Sequence, residues 1–260
     1  LFKDVDVIFT SLPNGESQKI ANKLLKKNTM IDLSADFRLT NAKIYNKYYG
    51  IKHKSLDNLK KSVYGLSEIN KKNLSKAKII ACPGCYPTSI LLPLFPLIKK
   101  NLIDFKNIII DSKSGFSGAG RGVHKKFKNK NLYGSTSAYG IGSHRHNAEI
   151  QQELSYIKKS IEFTFTPHIL PMFRGILSTI YLNYKSKANL NKIYNELRRF
   201  YMSHKFIKIL KNKALSTNDV INTNNCQISV CKSKDKKKLI ILSSIDTVSY
   251  THLTLPTTGI

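Results

Sequence analysis

With 260 residues and 41% hydrophobic content the chain can bury one large core or two modest ones; it contains no run of about 18 uncharged apolar residues, so no membrane-spanning helix is expected. Four cysteines are too few for a disulfide scaffold at this length and fit a reducing, cytoplasmic setting. The formal charge of +27 would suit a nucleic-acid binder, but the lysines come as scattered pairs (Lys26-Lys27, Lys60-Lys61, Lys71-Lys72, Lys99-Lys100) between apolar segments, which is the pattern of solvated faces.

Val5 to Thr10 reads as a buried strand, and Ser11-Leu12-Pro13-Asn14-Gly15 as the loop leaving its carboxyl end. The opening residues have neither the basic start nor the long apolar stretch of a signal peptide. Glu16 to Lys27 has helical spacing, with Ile20, Ala21, Leu24 and Leu25 on the apolar side. Met30 to Leu33 is a second short strand, followed by the polar turn Ser34-Ala35-Asp36. Strand, helix, strand at this spacing predicts a βαβ unit and a parallel sheet, whose ligand edge lies beyond the carboxyl ends of its strands. Ala77 to Ala81 adds a third strand, so the loops at 11–15, 34–38 and 82–85 all belong to that edge.

The break at Pro83-Gly84 puts Cys85 between this strand and an apolar helix over Ile90 to Ile98, which Pro93 and Pro96 are expected to bend or segment. A thiol near a helix N-terminus faces unpaired backbone N–H groups and the positive end of the helix dipole, both of which favour the nucleophilic thiolate. Cys82-Pro83-Gly84-Cys85 is also a C-x-x-C, open to a dithiol reading. Half a zinc site is a further alternative, although Cys226 and Cys231 are separated by four residues and do not repeat that spacing. For Cys82 a buried, inert thiol is the simplest reading.

Beyond that helix the texture changes. Asn107 to Ser112, Ile161 to Thr166, Ile176 to Tyr184, Gln227 to Val230 and Leu239 to Leu242 read as strands, and Ala188 to Phe200 as a helix. An α+β layer with an antiparallel or mixed sheet follows, and the domain boundary falls near Cys85. Ser114 to Arg121 is a small-residue loop before an arginine: either a flexible connection, or a backbone cradle with a guanidinium for a carboxylate or phosphate. In Tyr139 to Ile150, His144, Arg145, His146 and Glu149 crowd a helix start, more than a surface helix needs, and suit a general acid/base with charge partners. In Thr166 to Gly175 two prolines frame His168, which reads as structural, whereas Arg174 is placed to face the crevice. Arginine occupies six positions in all, four of them (Arg38, Arg121, Arg145, Arg174) inside these motif-like segments.

Six ordered segments together resemble the N-acetyl-gamma-glutamyl-phosphate reductases, relatives of aspartate-semialdehyde dehydrogenase. They are Ile31 to Arg38, Tyr64-Gly65-Leu66-Ser67-Glu68, Pro83 to Thr88, Ser117 to Arg121, His144-Arg145-His146 with Glu149, and Pro167-His168 through Pro171-Met172 to Arg174-Gly175. The resemblance covers Asp4 to Asp246. It implies an α/β architecture: a Rossmann-like parallel-sheet domain over 1–85, incomplete because no glycine-rich phosphate loop precedes Leu1, and a catalytic and dimerisation domain over 86–246. It further implies NADPH-dependent reduction of an acyl phosphate to an aldehyde in arginine biosynthesis, without a metal, in a cytoplasmic homo-oligomer. Cys85 would form the thioester and His144 would be the acid/base. Arg121, Arg145, Arg174, His146 and Glu149 would contact substrate, and Ser11, Leu12, Pro13, Ser34 and Ala35 would flank the NADP. Weak or no NADPH binding is expected of this stretch alone, and Thr247 to Ile260, which lacks a helical period, reads as a foreign tail. A related aspartate-semialdehyde dehydrogenase-type enzyme and a basic nucleic-acid-binding protein are the alternatives.

Overall fold

The computed structural model describes residues 4–25, 27–118, 134–186 and 188–247. They divide between Gly84 and Cys85 into two compact units. Among the described residues no helix is long and apolar enough to cross a membrane.

In the first unit the short strands β1 (Val7–Thr10), β2 (Thr29–Asp32), β3 (Ser62–Tyr64) and β4 (Ile79–Ala81) form a wholly parallel sheet in the order β1-β2-β4-β3. Helices α1 (Ser17–Leu24), α2 (Ala42–Tyr49), α3 (Leu56–Lys61) and α4 (Ser67–Leu74) connect them. Because successive side chains alternate across a strand, Met30 and Ile79 join one buried cluster with Ala21, Phe37 and Leu59. Their neighbours Ile31 and Ile80 join another with Leu74, Ala77 and Cys82. Apolar residues at consecutive positions are what a strand covered on both faces requires.

The second unit is a seven-stranded mixed sheet in the order β6-β7-β5-β8-β11-β10-β9. Its strands are β5 (Ile108–Ser114), β6 (Ser137–Ala138), β7 (Phe163–Ile169), β8 (Ile176–Asn183), β9 (Ile207–Lys211), β10 (Cys226–Lys232) and β11 (Lys238–Ile245). Helix α5 (Cys85–Lys99) packs on β8 and β11 and on α6 (His146–Ser155) and α7 (Leu190–Phe200). Residues 108, 110, 112 and 114 of β5 are buried, whereas Ile109 and its cross-strand partner Tyr181 are 50% and 40% exposed. The sheet therefore has one covered and one open face.

The expected helix at Ile90 to Ile98 begins five residues earlier, at Cys85 itself, and runs unbroken through both prolines. A proline at position 96 cannot donate to the Leu92 carbonyl four residues back. The Tyr201 hydroxyl donates to it instead, at 2.6 Å, from the end of α7. Tyr201→Phe should therefore cost about 1–2 kcal/mol, since it strands a buried acceptor. Urea unfolding monitored by circular dichroism checks this, and an unchanged midpoint would show that the carbonyl is satisfied by other means.

A second correction concerns the tail. Thr247 is 5% exposed, and its hydroxyl lies 2.7 Å from that of Ser117. It belongs to the fold, and residues 248–260 lie outside the described residues.

Candidate active site

At the carboxyl edge of the parallel sheet, two buried carboxylates organise the loops. Asp32 accepts from the hydroxyls of Thr10 and Ser17, both at 2.8 Å, and from the Ser34 hydroxyl at 2.7 Å and amide at 3.1 Å. Burial still pushes its carboxyl above the usual range, against those donors. Asp36 accepts from Gly15 N at 2.7 Å, Gln18 N at 3.1 Å and the Tyr45 hydroxyl at 2.6 Å. Gly15 sits at φ +92, a conformation that glycine adopts without strain. Asp36 thereby accepts from the Gln18 amide in the first turn of α1 and from the Gly15 amide just before it, so that helix end holds an internal anion already.

This edge holds the five residues expected at a cofactor. Ser11, Leu12 and Pro13 form an exposed stretch after β1. Ser34 and Ala35 are buried, and the Ser34 hydroxyl is turned inward, donating to Asp32 and accepting from the Asp36 amide at 3.2 Å. Ser34 can thus offer a ligand backbone but not its side chain.

The chemistry-bearing residues gather in the second unit. Cys85 is the first residue of α5 and is partly exposed. It occupies the first turn of a helix, where the positive end of the helix dipole stabilises a negative charge. Cys82 contrasts with it in exposure: the thiol is buried and pushed up to about 12, by burial first, with Arg38 opposing and Asp32 adding to the rise. A dithiol mechanism needs two reactive sulfurs, and Cys82 is a core side chain. Among the described residues no three His, Cys, Asp or Glu side chains are grouped as metal ligands.

Tyr86 and Tyr139 connect the thiol to the histidines. Tyr139, just after β6, donates its hydroxyl to that of Tyr86 at 3.1 Å, and Tyr86 donates to the His168 carbonyl at 3.2 Å. Cys85 directly precedes Tyr86 in α5, and negative charge on its sulfur would raise both phenols further. Burial is the larger cause, and Tyr139 is pushed up to about 12. The His144 ring packs edge-on against Tyr86, Tyr139 and Phe165 with centroids 5.6, 5.3 and 5.6 Å away, and lies 4.8 Å from the ring of His146.

His144 is held in one tautomer. Its Nδ1 accepts the backbone N–H of His146 at 3.2 Å, so the ring proton of the neutral imidazole sits on Nε2. Burial, then the positive charge of Arg145, lowers its pKa to about 4. The residue is a neutral hydrogen-bond donor at ordinary pH. His146 and Glu149, one turn apart on α6, form a buried contact of 3.7 Å between Nε2 and Oε1. Arg145 is exposed immediately before α6.

The remaining candidates fall elsewhere. Arg121 lies outside the described residues. Arg174 is engaged within the fold: its Nη1 reaches the buried Asp246 carboxylate at 3.2 Å and the Asn222 side-chain oxygen at 3.1 Å. It lines a cavity of about 490 Å³ with Met172, Phe173 and Thr217. Gly115, in the loop before Arg121, lets the chain run against Phe173 and Arg174, where a Cβ would meet the Phe173 carbonyl at 2.5 Å. His168 Nδ1 lies 3.2 Å from Asp111 Oδ1. Sequence reasoning passed over the two tyrosines, because an aromatic beside a reactive residue reads as packing. Their adjacency to Cys85 and to Gly140-Ile141-Gly142-Ser143-His144 was the only available signal.

Two family models match the chain: "Semialdehyde dehydrogenase, NAD binding domain" over residues 1–77 and "Semialdehyde dehydrogenase, dimerisation domain" over residues 85–247. The chain is 43% identical over 248 residues to the N-acetyl-gamma-glutamyl-phosphate reductase of Alkaliphilus metalliredigens, covering 94% of this chain and 72% of that protein. It is 43% identical to the probable chloroplastic N-acetyl-gamma-glutamyl-phosphate reductase of Arabidopsis thaliana, of which it spans 62%, again with 94% of this chain covered. Among solved structures, aspartate semialdehyde dehydrogenase II from Vibrio cholerae superposes with a TM-score of 0.69 at 13% identity, covering 95% of this chain and 76% of that one. The Francisella tularensis aspartate semialdehyde dehydrogenase gives 0.69 at 14%, with 95% and 78% covered. At such low identity these two structures speak for the fold.

Proposed function

The chain belongs to the semialdehyde dehydrogenase family, in its N-acetyl-gamma-glutamyl-phosphate reductase branch, and on that premise we propose how its residues reduce N-acetyl-glutamyl 5-phosphate to the semialdehyde for arginine synthesis. The observation that carries the reading is the grouping of a helix-start thiol, the hydrogen-bonded phenols of buried Tyr86 and half-buried Tyr139, and a neutral imidazole with a defined Nε2–H.

The Cys85 thiolate attacks the acyl carbon, a C–S bond forms, and the C–O bond to phosphorus breaks as phosphate leaves. The resulting thioester accepts hydride more readily than a carboxylate would. A nicotinamide cofactor supplies that hydride when bound. His144 donates Nε2–H to the oxyanion at the acyl carbon in both half-reactions. Collapse of the thiohemiacetal alkoxide breaks the C–S bond and restores the thiolate. The one proton consumed overall ends on the released phosphate, so no proton transfer at the carbonyl is needed. His144 thus acts as a hydrogen-bond donor in place of the acid/base role read from the sequence. Arg145, Arg121 and Arg174 remain proposed substrate contacts for carboxylate or phosphate, with His146 and Glu149 supporting the ring of His144.

The edge of the parallel sheet suits a nicotinamide dinucleotide through the exposed stretch Ser11 to Pro13, with the buried turn at Ser34 and Ala35 forming the floor beside it. Asp32 and Asp36 are both engaged internally, so neither is turned out to bond a ribose 2′-hydroxyl as the acidic residue of an NAD site does, which favours NADP over NAD. Comparing kcat/KM for NADPH and NADH tests this, and a preference for NADH would reverse it. The cytoplasm is the proposed setting, in keeping with a cysteine content too low for a disulfide scaffold.

Pairing of two copies is assigned to the open face of the mixed sheet, where Ile109 and Tyr181 stand exposed side by side. Placing lysine at both positions should shift the sedimentation coefficient from dimer to monomer. A variant that still sediments as a dimer would move the interface elsewhere.

A further inference from the structure

Three fully buried serines form a chain beneath the nucleophile. Ser112 on β5 and Ser178 on β8 are cross-strand partners with hydroxyls 2.7 Å apart. Ser178 in turn lies 2.7 Å from Ser89, one helical turn past Cys85 on α5. All three are 0% exposed. The direction of the chain follows from its end. Ser89 donates its one hydroxyl proton to the Tyr86 carbonyl at 2.9 Å. It must therefore accept from Ser178, which must accept from Ser112.

We propose that Ser178, acting through Ser89, is a positioning residue for Cys85. The chain delivers a sheet-anchored hydrogen bond to the carbonyl of the residue that follows the thiol. The same tyrosine is tied at its other end by its hydroxyl to the His168 carbonyl. The backbone beside Cys85 is thus held from the sheet below and from β7, and no solvent competes for the buried hydroxyls. Pro93 leaves the Ser89 carbonyl without its helical donor, so this turn lacks one of its backbone ties to the rest of the helix. A merely structural role would tie the helix to the sheet anywhere along its length. This chain instead ends at the turn that carries the sulfur, where small displacements change reactivity most.

The inference rests on Cys85 being the nucleophile, and the test separates the two. Ser178→Ala and Ser89→Ala sever the chain from opposite sides. Ser243→Ala is the control: equally buried, paired in register with Ser178, and contacting the Cys226 sulfur at 3.8 Å. The readouts are the second-order rate of Cys85 alkylation by iodoacetamide, located by peptide mass spectrometry, together with kcat and KM. Expected in both chain variants is a fall on the order of tenfold in alkylation rate and in kcat, with KM within about twofold; Ser243→Ala should match the parent chain. Wild-type alkylation in a folded Ser178→Ala or Ser89→Ala protein overturns the proposal, as does an equal loss in Ser243→Ala. Failure of the nucleophile reading would show separately, as turnover in Cys85→Ser.

Discussion

Replacing Cys85 with serine should lower kcat by at least about 10⁴-fold, because a serine hydroxyl without an activating base is a poor substitute for a thiolate. The partner experiment omits the reduced cofactor. Acyl phosphate added to the parent enzyme should then leave one acyl group on the peptide containing Cys85, readable by mass after acid quench, with one equivalent of phosphate released. The serine variant should show neither. Cys82→Ala should lower stability through its buried contacts while leaving the acylation intact, since its sulfur is core. Full turnover in Cys85→Ser, or loss of acylation in Cys82→Ala, would end the single-thiol reading.

His144→Ala should cost about 10²–10³ in kcat, the usual loss on removing one oxyanion donor. The informative comparison is His144→Gln. A glutamine amide can donate a hydrogen bond but cannot exchange a proton, so it should recover part of the loss if the imidazole serves as a donor. If His144 were an acid/base, glutamine would be as inactive as alanine. The pH dependence carries the same message with a definite sign. The folded pKa is lowered from 6.5 to about 4, so the unfolded chain binds the proton more readily. The stability this group contributes is complete above pH 6.5 and is lost as the pH falls from there towards 4. His144→Gln should flatten that decline in denaturation midpoints, and an identical decline in both proteins would mean the ring is not held neutral.

Much of the architecture was legible where apolar periodicity was strong. Thr29 to Asp32 and Ile79 to Ala81 were readable as covered strands because they carry apolar residues on both faces. Val7 to Thr10 was readable as a strand too, but only Ile8 and Thr10 are buried, while Val7 and Phe9 stand 45% and 61% exposed, so the expectation of a buried strand there is corrected. The stretch from Asn41 to Leu74 was not. There α2, α3, β3 and α4 are short and rich in lysine and asparagine, and each buries only a few residues. Tertiary contact supplies their order. Tyr45 is held by Asp36, and the His53 Nε2 lies 2.9 Å from the Asp36 carbonyl, partners that no local pattern announces.

The sequence by itself determined the reactive inventory: a cysteine at a strand-to-helix junction, a histidine cluster at a helix start and six ordered motifs. Those are properties of residue type and spacing, which survive translation into a string. Only the tertiary structure showed that Cys82 is buried and Cys85 partly exposed, as the residue types suggested, since exposure and burial depend on neighbours remote in sequence. It also decided that the imidazole presents Nε2–H, that Arg174 is bound to Asp246, and that a tyrosine over a hundred residues away completes a helix its own prolines leave short of a donor. Hydrogen-bond direction and desolvation are set by three-dimensional proximity, and that is the part of the chemistry a linear pattern leaves open.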